Sequence, residues 1–230
     1  MKTLGLIGGM SWESTVLYYQ ILNKQVKERL GGLHSARCVL YSVDFYEIEQ
    51  CQSTGDWEKS VAILTDAALA LQNAGAEAVL ICTNTMHKVA DEVQKNITVP
   101  LLHIAEVTAD AVLANGHNKV ALLGTRYTME QDFYKGKIQA KGIQVVVPNA
   151  EERQKINSII FDELCLGAIV EESKQYVLKV IERLTKEEGI QGVVLGCTEI
   201  PLLVKQADCE VAVYDTATLH ALAGVEYMLG

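Results

Sequence analysis

One cysteine stands in a setting that could do chemistry. In VVLGCTEIPLL, Val193 to Leu203, the apolar residues Val193, Val194 and Leu195 read as a strand buried on both faces. The strand stops at Gly196, and Cys197 follows in the turn. Thr198 is expected to cap a helix beginning at Glu199, with Pro201 in the first turn, where its missing N–H costs little. A thiol at the carboxyl end of a buried strand, facing a helix N-terminus, lies where open α/β sheets bind ligands. Unpaired N–H groups and the helix dipole there are expected to favour the thiolate and lower the thiol pKa. An arbitrary cysteine is more often a small buried apolar side chain; the position of this one puts the two readings level.

A second copy tips the balance. Ala76 to Met86 reads AEAVLICTNTM, and laid on the Cys197 stretch it sets Thr83 opposite Cys197. KTLGLIGGMSWEST from Lys2 resembles KVALLGTRYTMEQ from Lys119, with Gly8 matching Gly124, and VPLLHIAEVTADAV from Val99 resembles CEVAVYDTATLHAL from Cys209. Three pairs in the same order, at a slowly drifting offset, indicate a duplicated α/β unit. The repeat is expected to bring two strand-end turns to face each other across a cleft.

Such turns need strands to carry them. The first strand, Leu4 to Ile7, turns through Gly8-Gly9-Met10-Ser11 into a helix from about Glu13 to Leu30. This glycine spacing is not the dinucleotide fingerprint, and it reads as a tight turn or as a cradle for a small anion. Further strands are expected at Cys38–Val43, Val79–Cys82, Pro100–Ile104, Val120–Leu123, Ile143–Val147, Val193–Leu195 and Val211–Tyr214, with a loop over 44–54. Helices are expected at about 56–73, 151–164 and 174–188, together with one that a Thr128/Gln131 capping box would start and a closing one from Thr216. Strands of apolar rather than alternating residues, separated by helices, mean parallel sheets covered on both faces. The predicted architecture is two similar Rossmann-like, four-stranded parallel-sheet domains related by a pseudo-twofold repeat. The first comprises residues 1–104 plus 215–230, and the second residues 105–214.

Composition excludes several function classes. The 230 residues are 49% apolar and carry a net charge of −9, which argues against nucleic acid or an anionic membrane as the main partner. No stretch approaches the ~20 apolar residues of a membrane span, and the first residues run into a strand without a signal-peptide pattern. Six scattered cysteines read as free thiols of a reducing cytoplasm. No metal site is expected, since no CxxC or HExxH occurs.

The motifs GGMSWEST, CTNTMH, LGT-x-YTM and GCTEIPLL together resemble the aspartate/glutamate racemase family, over essentially the whole chain. GGMSWEST resembles its aspartate-racemase branch, and within it bacterial enzymes acting on L-aspartate and L-glutamate or on a broader set of amino acids. The resemblance implies racemisation without pyridoxal phosphate or any other cofactor, a small amino-acid substrate and a homodimer. It implies that one cysteine from each half flanks the substrate Cα. Cys197 matches the second-half cysteine, while the first-half position is Thr83 here. Cys82, one residue away, should point to the opposite face of its strand and is structural.

Asn84, Thr85 and Thr198 match positions that bind the α-carboxylate and amine, and Met10, Thr125 and Thr128 match turn residues lining the pocket. Each has an ordinary capping or turn explanation as well. EIEQCQSTG and FDELCLG lack the basic residues that grip an acidic side chain in some relatives, which leaves Gln52 as the candidate contact. His87 reads as structural. Aspartate or glutamate is the first-choice substrate. The alternatives are a racemase for non-acidic amino acids, a related single-cysteine decarboxylase, and an amino-acid-binding protein that lost its second base.

Overall fold

The computed structural model describes all 230 residues. Strand β1 (Leu4–Gly8) passes through Gly9, Met10 and Ser11 into α1 (Trp12–Leu30). Gly9 has φ 92°, and a Cβ there would lie 2.2 Å from the Val43 carbonyl oxygen, so the turn demands glycine. The Gly9 N–H donates to Thr15 Oγ1 at 2.8 Å. That N–H is consumed inside the tight connection.

The edge strand β2 (Cys38–Ser42) is followed by α2 (Phe45–Thr54), where a loop was expected. Asp44 starts this helix by accepting the Tyr46 N–H, and Gly55 ends it in the left-handed region. Only Ile48 and Cys51 are buried, so a polar sequence can be helical here without an apolar stripe. Next come α3 (Trp57–Asn73), β3 (Ala78–Ile81), a 3-10 turn at Thr85–Val89 and α4 (Ala90–Gln94).

The strand expected at Pro100–Ile104 is a single bridge, Val79 to Leu101. Hydrogen bonds explain why it does not extend. Pro100 has no N–H to give the Glu77 carbonyl, which takes the Tyr227 hydroxyl instead. On the other side the Leu102 carbonyl is bound by His220 Nε2, and the Ile81 carbonyl by the Thr83 N–H. The first sheet is therefore three-stranded, in the order β2-β1-β3.

The second half runs α5 (Ile104–Ala114), β4 (Lys119–Gly124), α6 (Arg126–Glu130), α7 (Asp132–Ala140), β5 (Gln144–Val146), α8 (Ala150–Ser158), α9 (Glu171–Glu188), β6 (Gly192–Gly196), α10 (Ile200–Leu203), β7 (Ala212–Asp215) and α11 (Thr216–Leu229). Its sheet is four-stranded and parallel, in the order β5-β4-β6-β7. Beyond α8 the chain widens into an i→i+5 turn over Ile159–Glu163 rather than continuing as an α-helix to Leu164. Thr125, not Thr128, caps α6, its Oγ1 accepting the Thr128 N–H at 3.4 Å; Thr128 lies inside the helix.

The chain divides into two compact units, Met1–Ile104 with Ala217–Gly230, and Ala105–Thr216. In the first, alternation along the strands splits the core. Ile7, Val79 and Ile81 face Leu64, Ala68 and Leu71 of α3, while Leu4, Leu6, Leu80 and Cys82 face Tyr18 and Leu22 of α1 and Ala217, Ala221 and Val225 of α11. In the second, Ala121, Leu123, Val193 and Leu195 face α8 and α9 through Ile156, Val177, Val180 and Ile181. No helix is long and apolar enough to cross a membrane.

Candidate functional site

Sheet order locates the ligand-binding end of each unit. From β1 the chain goes to β2 on one side and then crosses back to β3 on the other, so the adjacent strands β1 and β3 flank a topological switch point. Crevices at the carboxyl ends of such strands are where open α/β sheets bind ligands. In the second unit β4 and β6 stand in the same relation.

Register then decides which residues step off these strands together. Ile7 pairs with Ile81 and Leu123 pairs with Leu195. Thr83 and Cys197 are each two residues beyond the paired position, and Cys82 occupies the place of Gly196. The ladder thus gives Thr83 and Cys197 the same address in their respective units. Cys82 is wholly buried against Leu6, Tyr18 and Leu80, and burial pushes its thiol pKa far up.

In the second unit, Gly196 brings Cys197 off the strand beside Thr128. A Cβ on Gly196 would stand 2.9 Å from Thr128 Cγ2, and one on Gly124 3.1 Å from Thr128 Cβ. Thr128, fully buried, packs its methyl group over both glycines, and its hydroxyl is 3.3 Å from that of Thr125. It holds the strand ends in place rather than presenting a hydroxyl to the surface. Cys197 packs at the rim of the core formed by Leu195, Ile160, Leu164 and Ile200.

The Cys197 thiol donates to Glu199 Oε2 at 2.8 Å, and the Thr198 hydroxyl donates to the same oxygen at 2.9 Å. This reverses two expectations. Glu199, not Thr198, is the N-cap residue of the following helix, with no side-chain cap bond, and that helix has only the four residues of α10. The thiol pKa is raised well above its ordinary value, not lowered. Burial is the main cause, the Glu199 carboxylate adds charge repulsion and a hydrogen bond that holds the proton on sulfur, and the Glu199 main-chain N–H pulls weakly the other way. One turn of helix supplies too little dipole to outweigh a carboxylate in contact. The resting group is a neutral thiol joined to a carboxylate that can take its proton. The sequence left Glu199 without a role; its place two residues after a strand-end cysteine was the available signal.

In the first unit, Thr83 is half-buried and its N–H donates to the Ile81 carbonyl at 2.8 Å. Asn84 is buried, and Thr85 opens the 3-10 turn. Met10 is buried in the same apolar cluster as Met86, and the half-buried Gln52 donates from Nε2 to Met86 Sδ at 3.0 Å. The first unit therefore gathers Met10, Gln52, Thr83, Asn84 and Thr85 around the ends of β1 and β3. The second gathers Thr125, Thr128, Cys197 and Thr198 around the ends of β4 and β6, with Glu199 added.

Comparison with known proteins agrees in sequence and in fold. Residues 7–224 match the family described as Asp/Glu/Hydantoin racemase. A candidate Asp/Glu racemase of known structure from Yersinia pestis is 53% identical, with a TM-score of 0.96 over 100% of both chains. An aspartate racemase homologue from Pyrococcus horikoshii OT3 is 40% identical, with a TM-score of 0.91, again over 100% of both chains. The broad specificity amino-acid racemase RacX of Bacillus subtilis (strain 168) is 23% identical over 177 residues, 76% of this chain and 74% of its own.

Proposed function

The chain belongs to the Asp/Glu/Hydantoin racemase family, a family of isomerases, and from that premise we propose that it racemises an amino acid without a cofactor, Cys197 removing the Cα proton of the L-isomer and Thr83 serving the return of a proton to the opposite face. The observation that carries this reading is the Cys197–Glu199 hydrogen bond at the end of β6. A neutral thiol is no base, but a thiol that passes its proton to a carboxylate in contact becomes one as it does so. The proton balance is simple. Glu199 takes the thiol proton, the sulfur takes the Cα proton, and the substrate becomes a carbanion conjugated with its carboxylate. The Thr83 hydroxyl then delivers its proton to carbon and regains one from solvent, while Glu199 returns one to solvent.

Asn84, Thr85, Thr125 and Thr198 supply the N–H and hydroxyl dipoles that hold the substrate carboxylate and amine and stabilise the charge developing on it. L-aspartate or L-glutamate is the first-choice substrate, with Gln52 contacting the side chain. A wider amino-acid range is the second reading, supported by the neutrality of Gln52 and by the similarity to a broad specificity racemase. All six cysteines are free, which supports a reducing, cytoplasmic setting.

The test is initial-rate deuterium incorporation at Cα from each pure enantiomer, in heavy water with no added cofactor. Exchange from the L-isomer is expected to be much faster, because Thr83 has no ionised form near neutral pH to start from the D-isomer. Thr83→Cys should raise exchange from the D-isomer. Equal wild-type rates, or a faster D-isomer, would show that Thr83 is not the weak partner. Binding without any exchange would instead leave an amino-acid-binding protein.

We also propose a homodimer. Trp12, Val16 and Tyr19 recur on one face of α1 and are all exposed, Trp12 to 65%, an apolar stripe of the kind that subunit contacts cover. Sedimentation at micromolar concentration should give twice the 25.2 kDa chain mass; a monomer there overturns this part alone.

A further inference from the structure

Three histidines are clustered behind Thr83, and the chemistry above leaves them unused. His87 lies on the 3-10 turn after Thr85, His103 on the segment leading into α5, and His220 on α11. All are buried. The His87 ring centroid is 4.8 Å from that of His103 and 5.3 Å from that of His220. No group of three or more His, Cys, Asp or Glu side chains is arranged to hold a metal ion, so hydrogen bonding has to account for the cluster.

Proton positions follow from the partners. A carbonyl oxygen only accepts. His220 Nε2, 2.7 Å from the Leu102 oxygen, therefore carries a proton, and its Nδ1 accepts from the Tyr18 hydroxyl at 2.8 Å. His87 Nδ1, 2.8 Å from the Thr83 carbonyl oxygen, carries a proton for the same reason. His87 Nε2 is buried with no hydrogen-bond partner. Burial and the neighbouring imidazole of His103 hold the His87 pKa well below its ordinary value, so the ring is neutral, and the Thr83 carbonyl places its one proton on Nδ1. The Nδ1–H bond to the Thr83 carbonyl ties the ring to the strand-end turn. The His87 main-chain N–H also donates to the Asn84 carbonyl at 3.1 Å, so one residue grips two successive peptides of the strand-end turn.

We propose that His87 is a positioning residue for the Thr83–Asn84 peptide, its Nδ1–H holding the Thr83 carbonyl inward and thereby aiming the Thr83 hydroxyl. Because the peptide is planar and trans, the Asn84 N–H then points away from His87. The inference rests on the reading of Thr83 as the proton-returning residue.

Substitutions separate positioning from packing. The amide nitrogen of asparagine reaches the place of Nδ1, that of glutamine the place of Nε2, and leucine fills the space with no donor. His87→Asn is expected to keep kcat for Cα exchange within about 5-fold of wild type. His87→Gln and His87→Leu should lower kcat by about 10- to 100-fold, the scale of a misplaced reacting group, with KM changing less than about 3-fold. A folded His87→Leu variant with wild-type kcat, a loss confined to KM, or His87→Asn as impaired as His87→Leu overturns the proposal. Thr83→Ala belongs in the same panel. If it keeps exchange, the reading of Thr83 itself falls; if it is inactive while His87→Leu is fully active, only the role of His87 falls. Should the leucine variant not fold, ¹⁵N-histidine NMR of the wild-type protein decides: His87 is expected as the neutral Nδ1–H tautomer at pH 6–8, and an Nε2–H tautomer or an imidazolium overturns the proposal.

Discussion

Cys197→Ala is expected to abolish Cα proton exchange, a loss of about 10²–10⁴-fold or more, while the protein keeps its fold. The side chain lies at the rim of the second unit's core, between Leu195 and Ile200. Removing one sulfur there costs about 1 kcal/mol, the scale of a methyl-sized cavity. The comparison that gives the result meaning is Cys82→Ala. That thiol is packed against Leu6, Tyr18 and Leu80, and the ladder gives it the place of Gly196. Its removal should cost similar stability and leave most of the activity. Circular dichroism and melting on both variants, beside the exchange rate, separate loss of fold from loss of chemistry. An inactive Cys82→Ala with an active Cys197→Ser would mean that the alignment of the two units is one residue out.

The second large effect is that Glu199→Gln should move two observables in opposite directions. Glutamine keeps the size and the ability to accept from the Cys197 thiol but cannot take its proton, so exchange should fall by about 10²–10⁴-fold, the usual contribution of a general base. Thiolate formation should become easier at the same time. Glu199 raises the Cys197 pKa by charge and by hydrogen bonding, and removing the charge lowers it. Alkylation of Cys197 by iodoacetamide, followed on its own peptide by mass spectrometry, should therefore rise with pH from a lower pH in the variant.

Linkage gives a further sign. A thiol whose folded pKa lies above its unfolded value favours the folded state below that value, about 9.0, and loses the contribution as the pH rises through the folded pKa. Above pH 9, wild type should lose more stability in total than Glu199→Gln, its loss continuing to a higher pH. If the variant is active and its Cys197 alkylates as in wild type, the carboxylate is a bystander.

Much of this was legible in residue order, because it depends on local pattern. Apolar runs such as Val193-Val194-Leu195 can only be satisfied between two covering layers, so parallel sheets follow from composition along short stretches. The internal repeat showed that the strand-end turns come in two copies, and it matched Thr83 with Cys197. The sheet register gives them the same address for a reason the sequence already contains: side chains alternate along a strand, and a one-residue shift would exchange Cys82 for Thr83 in the packed face.

What depended on groups distant in sequence was decided only by the tertiary structure. The strand after Pro100 shrank to one bridge because the Tyr227 hydroxyl and the His220 imidazole, both on α11, take the carbonyls on which a longer ladder would depend. At α6, Thr128 is drawn into the helix to cover Gly124 and Gly196, and Thr125 takes the cap; at α10, the Thr198 hydroxyl donates to Glu199 instead of capping, and Glu199 is the cap residue. The ionisation of Cys197 was misread for the same kind of reason. Propensity can place a thiol near a helix N-terminus, but whether it rests as thiol or thiolate depends on burial and on where the Glu199 carboxylate turns. The His87 ring stands behind Thr83 only once α11 and the Leu102–His103 segment enclose it. Local periodicity determines which element forms and which face it buries; the charge state of a buried group is set by whatever the rest of the chain packs against it.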